Sequence, residues 1–471
     1  MKQTILSLVL ALLPIMASAD AKGTCGENVT WSYVEATQTL TISGTGGMKK
    51  YYADYTSKAP WYSYRNAIQT AVIELGVTSI SSYAFCDCSS MTSVTIPSSV
   101  TSIEWSAFES CSSLSSVTIP NSVTSIEGQA FMACTGMTSL TISNSVKSIE
   151  WGTFAGCWSL TSLTIPGSVT SIGESAFQNC IGLISLTIPS SVTTITEGAF
   201  GGCWGLTSIN VETDNTKYDS RDNCNAIIEK GTNTLIAGCM NTTIPNGVTR
   251  IGAYAFAFLY ENMPSIIIPS SVTSIGAWAF KNCRMPSIII PSSVTSIEEH
   301  AFDGCIGLTS LTIPNGVTSI GEGVFKYCDG LTSITIPKSV TSIGNEAFSS
   351  CGKLADVYCY AEQVPNTDEY AFSNTPIENW TLHVPEASVN LYKGKAPWKN
   401  FKEIVKLPIS GDSNGDGVVD TADIVEPVNY IMGTPDAEFD KKAADANNDG
   451  VFNVADIVEI VKIIMVAKKE Q

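Results

Sequence analysis

Two twelve-residue segments near the C-terminus carry residues whose types and spacing could do metal chemistry. The first is D-S-N-G-D-G-V-V-D-T-A-D, Asp412 to Asp423. The second is D-A-N-N-D-G-V-F-N-V-A-D, Asp445 to Asp456, and it begins 33 residues after the first. Positions 1, 3 and 5 supply Asp412, Asn414 and Asp416 in one loop and Asp445, Asn447 and Asp449 in the other. Gly417 and Gly450 at position 6 allow a sharp turn. Val418 and Val451 at position 7 offer a backbone carbonyl, Asp420 and Asn453 stand at position 9, and Asp423 and Asp456 close each set. A calcium ion takes about 6 to 8 hard oxygen ligands, and this spacing wraps them around one point. The two loops therefore predict two Ca2+ ions. Without calcium the clustered carboxylates of each loop repel, so this region is expected to fold with its metal.

No catalytic constellation accompanies them. The two histidines are His300, beside Glu298 and Glu299, and His383. No nucleophile elbow, phosphate loop or Cys/His zinc spacing is present. Glutamates recur at Glu104, Glu127, Glu150, Glu174, Glu197, Glu298 and Glu322. A glycosidase needs two carboxyls in unlike environments, and a periodic row offers like ones. The chain is read as non-enzymatic, with the recurring glutamates placed at the N-termini of helical turns.

The elements that must carry these residues are repetitive. A V-x-x-I element begins at Val77, Val100, Val123, Val146, Val169 and Val192, each 23 residues apart. It resumes at Val248, Val272, Val294, Val317 and Val340. In the coil around Ser159 to Cys180, Leu163 and Ile165 alternate inward about Thr164 as a strand, and Pro166 ends it. Val169 and Ile172 form a second short extended piece. Glu174 to Gln178 are expected to form one helical turn that buries Ala176 and Phe177. No coil buries its apolar set alone, whereas stacked coils share one core and pair their strands in parallel. The fold class is an α/β, β-rich solenoid with a small all-α paired-loop domain behind it.

Cysteine keeps the same period, at Cys88, Cys111, Cys134, Cys157, Cys180 and Cys203, then Cys283, Cys305, Cys328 and Cys351. Parallel Cβ vectors in stacked coils do not suit disulfide geometry, so these read as a column of buried thiols behaving as small apolar groups. Cys224 and Cys239 could pair within one insertion or stay reduced. Outward strand positions are rich in hydroxyls, as in Ser93/Thr95, Ser116/Thr118, Ser139/Thr141, Ser162/Thr164, Ser185/Thr187, Ser310/Thr312 and Ser333/Thr335. They offer either a recognition face for a protein or glycan or a soluble sheet surface. Trp158 and Trp204 follow the ladder cysteine two coils apart, where they could stack on sugar rings or cover the solenoid edge.

The 23-residue pattern resembles the leucine-rich repeats of the BspA-type family of bacterial surface proteins, from about Cys25 to Leu407. C-G-E-N-V-T-W, L-T-I-S-G-T-G and Ala59-Pro60-Trp61 look like that family's opening cap. Asn215 to Ala237 looks like its hairpin-bearing repeat, and Leu382 to Pro385 with Ala396-Pro397-Trp398 and Phe401 like its closing cap. The resemblance implies a right-handed leucine-rich-repeat solenoid that serves adhesion or protein recognition. The C-terminal loops end in Asp, not the Glu of ordinary EF-hands. Each is followed by one apolar helix beginning D-I-V-E, without an entering helix. Over Gly411 to about Met465 this resembles type I dockerin modules, which implies a cohesin domain of a scaffold or surface protein as partner. The family's partner-reading positions fall on Thr421, Ala422, Val454 and Ala455. They lack the hydroxyl pairs common in cellulosomal dockerins. Pro427 stands where the second helix has Ile460, and a helix-interior proline is expected to kink the first helix.

The organisation expected is a signal peptide over 1–19, an opening cap over 20–75 and repeats over 76–353 with a hairpin insertion at about 210–247. A closing cap over 354–408 and the paired-loop domain over 411–466 complete it. Lys2, the apolar run Ile5 to Ile15 and Ala17-Ser18-Ala19 carry the leader reading. That run is too short to span a bilayer, so no membrane insertion is expected once it is removed. A net charge of −18, from 26 basic and 44 acidic residues, repels phosphate backbones and excludes nucleic acid as a partner. The leading expectation is an exported binding or adhesion protein anchored through its calcium loops. The alternative is a non-catalytic component of a polysaccharide-degrading complex.

Overall fold

The computed structural model describes residues 20–52, 57–260, 265–414, 418–433, 439–447 and 451–467. The leader segment 1–19, and Asp416, Gly417, Asp449 and Gly450 of the two loops, lie outside these. The chain divides into two compact units, Met1–Ser171 and Ile172–Gln471.

The first unit opens with three strands, Ala21–Thr24, Asn28–Val34 and Thr39–Gly47, paired antiparallel in sequence order. Thr39–Gly47 then pairs in parallel with Thr70–Ile73 and Val77–Ile80, which turns a hairpin into the first coil. Coils succeed one another at the 23-residue period. Ser93–Thr95, Ser116–Thr118 and Ser139–Thr141 line one side, and Ser102–Ile103, Ser125–Ile126 and Ser148–Ile149 a second. Registers join equivalent residues, Ser139 with Ser116 and Leu140 with Val117. Trp61 closes the open end: it is buried, its ring lies 5.8 Å from Phe85, and its indole N–H donates to Ala84 O at 2.8 Å.

The second unit carries the pattern through Ser185–Ile188 and Ser208–Val211, paired in parallel, and then an insertion. Strands Ala226–Glu229 and Thr234–Gly238 form an antiparallel hairpin, and Thr234–Gly238 then pairs in parallel with Arg250–Ile251. Ser310–Thr312, Ser333–Ile336, Asp356–Cys359, Thr381–Val384 and Glu403–Lys406 form one parallel sheet. Trp380, Tyr392 and Trp398 are fully buried at its end, and Phe372 meets Trp380, Trp398 and Phe401 edge-on.

The third side of each coil is not the helical turn expected over Glu174 to Gln178 and its equivalents. Its alternate N–H groups bond to the next coil, as Gly323 N to Asn345 O, Phe325 N to Ala347 O and Tyr327 N to Ser349 O, all at 2.9 Å. The residues between close tight turns within the coil, as Lys326 N to Gly323 O at 3.0 Å. A helix would spend every N–H on its own carbonyls, and this side spends half of them holding the neighbour. The geometry needs two left-handed residues per coil, such as Trp278 and Asn282, or Gly323 and Tyr327.

Stacking also orders the core. Phe85, Phe108, Phe131 and Phe154 lie 5.0 to 5.6 Å apart and nearly parallel in the first unit. Phe256, Phe280, Phe302, Phe325, Phe348 and Phe372 stack likewise in the second, 5.3 to 5.8 Å apart. All fifteen cysteines remain outside any disulfide, Cys224 and Cys239 included. The ladder thiols are more than small apolar groups. Cys111 donates to Phe85 O, Cys134 to Phe108 O, Cys305 to Phe280 O and Cys351 to Phe325 O, at 3.1 to 3.2 Å.

Candidate metal centre

The paired loops come after the closing cap in the second unit. In the first loop, Asp420 N-caps a 3-10 turn, Thr421–Ile424, which passes into helix Val425–Ile431. In the second, helix Val454–Ala467 runs unbroken for 14 residues. Between them, Asp440 caps the short helix Lys441–Ala444, accepting from Lys442 N and Ala443 N. Ile460 and Ile464 form the module's own core with Ala446, against which Val419, Ile424 and Ile463 pack. The rings of Tyr430, Phe439 and Phe452 meet at 5.2 to 6.2 Å beside it.

The two loops repeat one construction. Asp423 is fully buried and its two carboxylate oxygens accept from Asn414 N at 3.1 Å and Asp420 N at 2.8 Å. Asp456 is likewise buried and accepts from Asn447 N at 3.3 Å and Asn453 N at 2.8 Å. The position-12 carboxylate thus ties positions 3 and 9 together and sets the curve of each loop. Asp412 and Asp445, at position 1, are each 5% exposed. Four carboxylates withdrawn from water need a cation near them to offset their desolvation. Hard oxygen donors and the absence of a thiolate or imidazole among the loop residues fit calcium. Among the described residues no group of three His, Cys, Asp or Glu side chains converges on a metal-sized point. Asp416 and Asp449, the position-5 donors, lie outside them.

Pro427 lies just past the point where the first helix changes from the 3-10 turn Thr421–Ile424 to the α-helix Val425–Ile431, and the Asp423 carbonyl that its missing N–H leaves open accepts from the Ser413 hydroxyl instead. Thr421, Ala422, Val454 and Ala455 are all exposed, at the starts of the 3-10 turn and of the second helix.

The recurring glutamates do not sit on helix N-termini, because there are no helices for them to cap. Three of them reach back to the preceding coil. Glu127 accepts from Trp105 N at 3.0 Å, Glu298 from Ala277 N at 3.1 Å, and Glu104 from Ser82 N at 3.3 Å. In these three the carboxylate caps a backbone N–H of the preceding coil, and Glu298 also pairs with Arg250. His300 stacks on Trp278 at 3.8 Å with Nδ1 3.2 Å from Asp303, and His383 stacks on Tyr358 and bonds Asp356.

The hydroxyl face is exposed at Ser93/Thr95, Ser116/Thr118, Ser139/Thr141, Ser162/Thr164 and Ser185/Thr187. It departs from expectation at Thr335, which is 8% exposed. A cavity of about 740 Å3 lies there, lined by Ile289, Thr312, Thr335, Tyr360, Asn447 and Val451 among others. Ile267 and Ile289 replace the outward threonine in two neighbouring coils and are 83% and 58% exposed. Trp158 is exposed, while Trp204 packs against the core.

Comparison with known proteins agrees with this architecture. The profile of the BspA type leucine rich repeat region (6 copies) matches residues 61–180, 101–228, 237–355 and 279–393. That of the dockerin type I domain matches residues 410–465. A solved leucine rich cell surface protein from Faecalibacterium prausnitzii is 33% identical, over 73% of this chain and 95% of that one, with a TM-score of 0.58. A leucine-rich repeat protein from Eubacterium ventriosum is 24% identical over 82% and 85%, with a TM-score of 0.43. One from Bacteroides ovatus is 22% identical over 81% and 99%, with a TM-score of 0.38. No curated protein matches the chain.

Proposed function

Because the chain belongs to the BspA-type leucine-rich-repeat family and ends in a type I dockerin domain, we propose that it is an exported, non-catalytic binding protein. Its coils present a surface to an extracellular protein or glycan. Its C-terminal module, over residues 411–466, fastens it to a cohesin-bearing scaffold or surface protein. Repeats and dockerins are interaction modules. The two histidines and Glu104, Glu127 and Glu298, among the side chains best suited to acid–base chemistry, are engaged in holding coils together. No helix among the described residues is long and apolar enough to cross a membrane, which fits an anchor made by a partner.

The observation that carries this reading is the duplicated clamp: Asp423 and Asp456, each buried, each tying positions 3 and 9 of its own loop. Asp412, Asn414, Asp416, Val418, Asp420 and Asp423 would hold one ion, and Asp445, Asn447, Asp449, Val451, Asn453 and Asp456 a second. Calcium, when bound, supplies the charge that allows these carboxylates to stay together away from water. The chain's own residues then orient the helices so that Thr421, Ala422, Val454 and Ala455 face the partner.

The test is capture of cohesin-bearing proteins on the immobilised full-length chain, with calcium and with chelator, alongside calorimetry with calcium. Uptake of two ions and capture lost in chelator are expected. Capture indifferent to chelator, or no calcium uptake, overturns the anchoring reading.

A further inference from the structure

The two loops share the same clamp; they differ at position 9, Asp420 against Asn453, and in what stands three residues before them. Ahead of Asp412 this position is Ile409; ahead of Asp445 it is Lys442. The Lys442 ammonium lies 3.3 Å from Asp445 Oδ2, with the two side chains 14% and 6% exposed. Asp445 is the position-1 donor of the second loop. The lysine is set in place from several directions. Its backbone N–H is fixed by Asp440 at the start of helix Lys441–Ala444. Its Nζ stands 5.9 Å from the ring centroids of both Tyr358 and Tyr360, at the edge of the closing cap, within reach of their attractive faces. An ammonium so enclosed does not swing into bulk water as a surface lysine does.

We propose that Lys442 is an internal cation that competes with calcium for the second loop, so that the first loop fills at lower calcium than the second. The inference rests on the calcium reading of the loops. Its physics is simple. A calcium ion ligated by Asp445 lies within a few ångström of the ammonium that already neutralises that carboxylate. In a site this far from water the two cations repel strongly. Calcium must either displace the ammonium from Asp445 or bind against its field. The first loop carries isoleucine at this place, which brings no charge. In the calcium-free protein the same lysine offsets the charge of Asp445 and keeps the loop close to its folded course. The second site is then a threshold: the module completes itself only when calcium is high enough to overcome a charge built into the chain.

The experiment is calcium calorimetry on the full-length chain with one loop disabled at a time. With Asp423→Ala disabling the first loop, Lys442→Met is expected to tighten the remaining site by roughly threefold to thirtyfold, the order of effect of one nearby charge. Lys442→Arg, which keeps the charge, is expected to leave it near the wild-type affinity. With Asp456→Ala disabling the second loop, neither substitution should move the remaining site. Lys442→Met without effect in the Asp423→Ala background, or with equal effects in both backgrounds, overturns the competition. A wild-type chain that takes up no calcium overturns the loop assignment itself, and this outcome is distinct from the first two.

Discussion

The Ser413 hydroxyl donates to the main-chain carbonyl of Asp423 at 2.7 Å, inside a site where Ser413 is 2% exposed. That carbonyl is the one a helical N–H at position 427 would take, and Pro427 has none. In the second loop the corresponding pair is Ala446 and Ile460. There the helix supplies its own N–H and position 2 needs no hydroxyl. The half that carries the proline carries the serine that compensates for it.

Ser413→Ala is therefore expected to leave a buried acceptor unmet and to cost about 1–3 kcal/mol. The loss should appear as faster amide exchange across Val425–Ile431 in saturating calcium. Pro427→Ile restores the helical donor, so the double substitution should recover most of the protection. Equal damage from Ser413→Ala in both backgrounds would show that the hydroxyl acts elsewhere.

The thiol column makes a prediction against pH. Burial pushes Cys157, Cys283 and Cys351 up to about 12 from an ordinary 9.0. A thiol raised in the folded state contributes its stability in full below the unfolded value and loses it as pH climbs toward the folded one. The denaturation midpoint should hold up to about pH 9 and fall steadily from there to about 12. Between pH 7 and 8 the ladder thiols should resist alkylation until the coils are unfolded. Because Cys305 also donates to Phe280 O at 3.1 Å, Cys305→Ser is expected to be milder than its cavity-free size suggests, and Cys305→Ala to lose the cross-coil bond outright.

Much of this architecture was legible because one residue per coil reports on one position of the solenoid. The 23-residue spacing of valine, isoleucine and cysteine gave the coils, their inward residues and their parallel pairing. What composition could not give was where backbone donors go. Glu174 to Gln178 reads equally as a helical turn or as a strip that bonds to the next coil, and only the stacked neighbour decides. The same holds for Glu104, Glu127 and Glu298, whose acceptor role runs backward by one coil, and for cysteine, whose S–H finds a carbonyl 26 residues earlier. Thr335 looked outward by its register, but it lines a cavity together with Tyr360 and with Asn447 and Val451, more than a hundred residues away. The dockerin-type loops were legible because their spacing is local; Lys442 was not singled out, since a lysine before a loop has no signature until its ammonium is seen beside Asp445.

A glycine tests the turn side of the coils. Gly323 has φ +57°, and a Cβ there would lie 2.2 Å from Cε1 of His300, whose ring stacks on Trp278. Gly323→Ala is expected to destabilise the second unit by about 2 kcal/mol or more, from left-handed strain and the clash together. Adding His300→Ala removes the clash and leaves the strain, so part of the loss should return in thermal unfolding. No recovery would mean that the backbone alone sets the cost.

The two halves of the anchoring module should not bind a partner equally. Thr421 and Val454 occupy the same loop position and both are exposed, so exposure does not separate them. The helices they open do. Thr421 begins a 3-10 turn and then a 7-residue helix, while Val454 begins a 14-residue helix whose Ile460 and Ile464 anchor the module core. A partner lying along the second helix meets a longer and better supported surface, and a charge planted at its start is desolvated on docking. Val454→Asp is expected to lower cohesin affinity by about 2 kcal/mol or more, and Thr421→Asp by less than about 0.5 kcal/mol. Titration calorimetry in saturating calcium separates the two, and a complex that survives Val454→Asp but not Thr421→Asp would place the partner on the proline-bearing half.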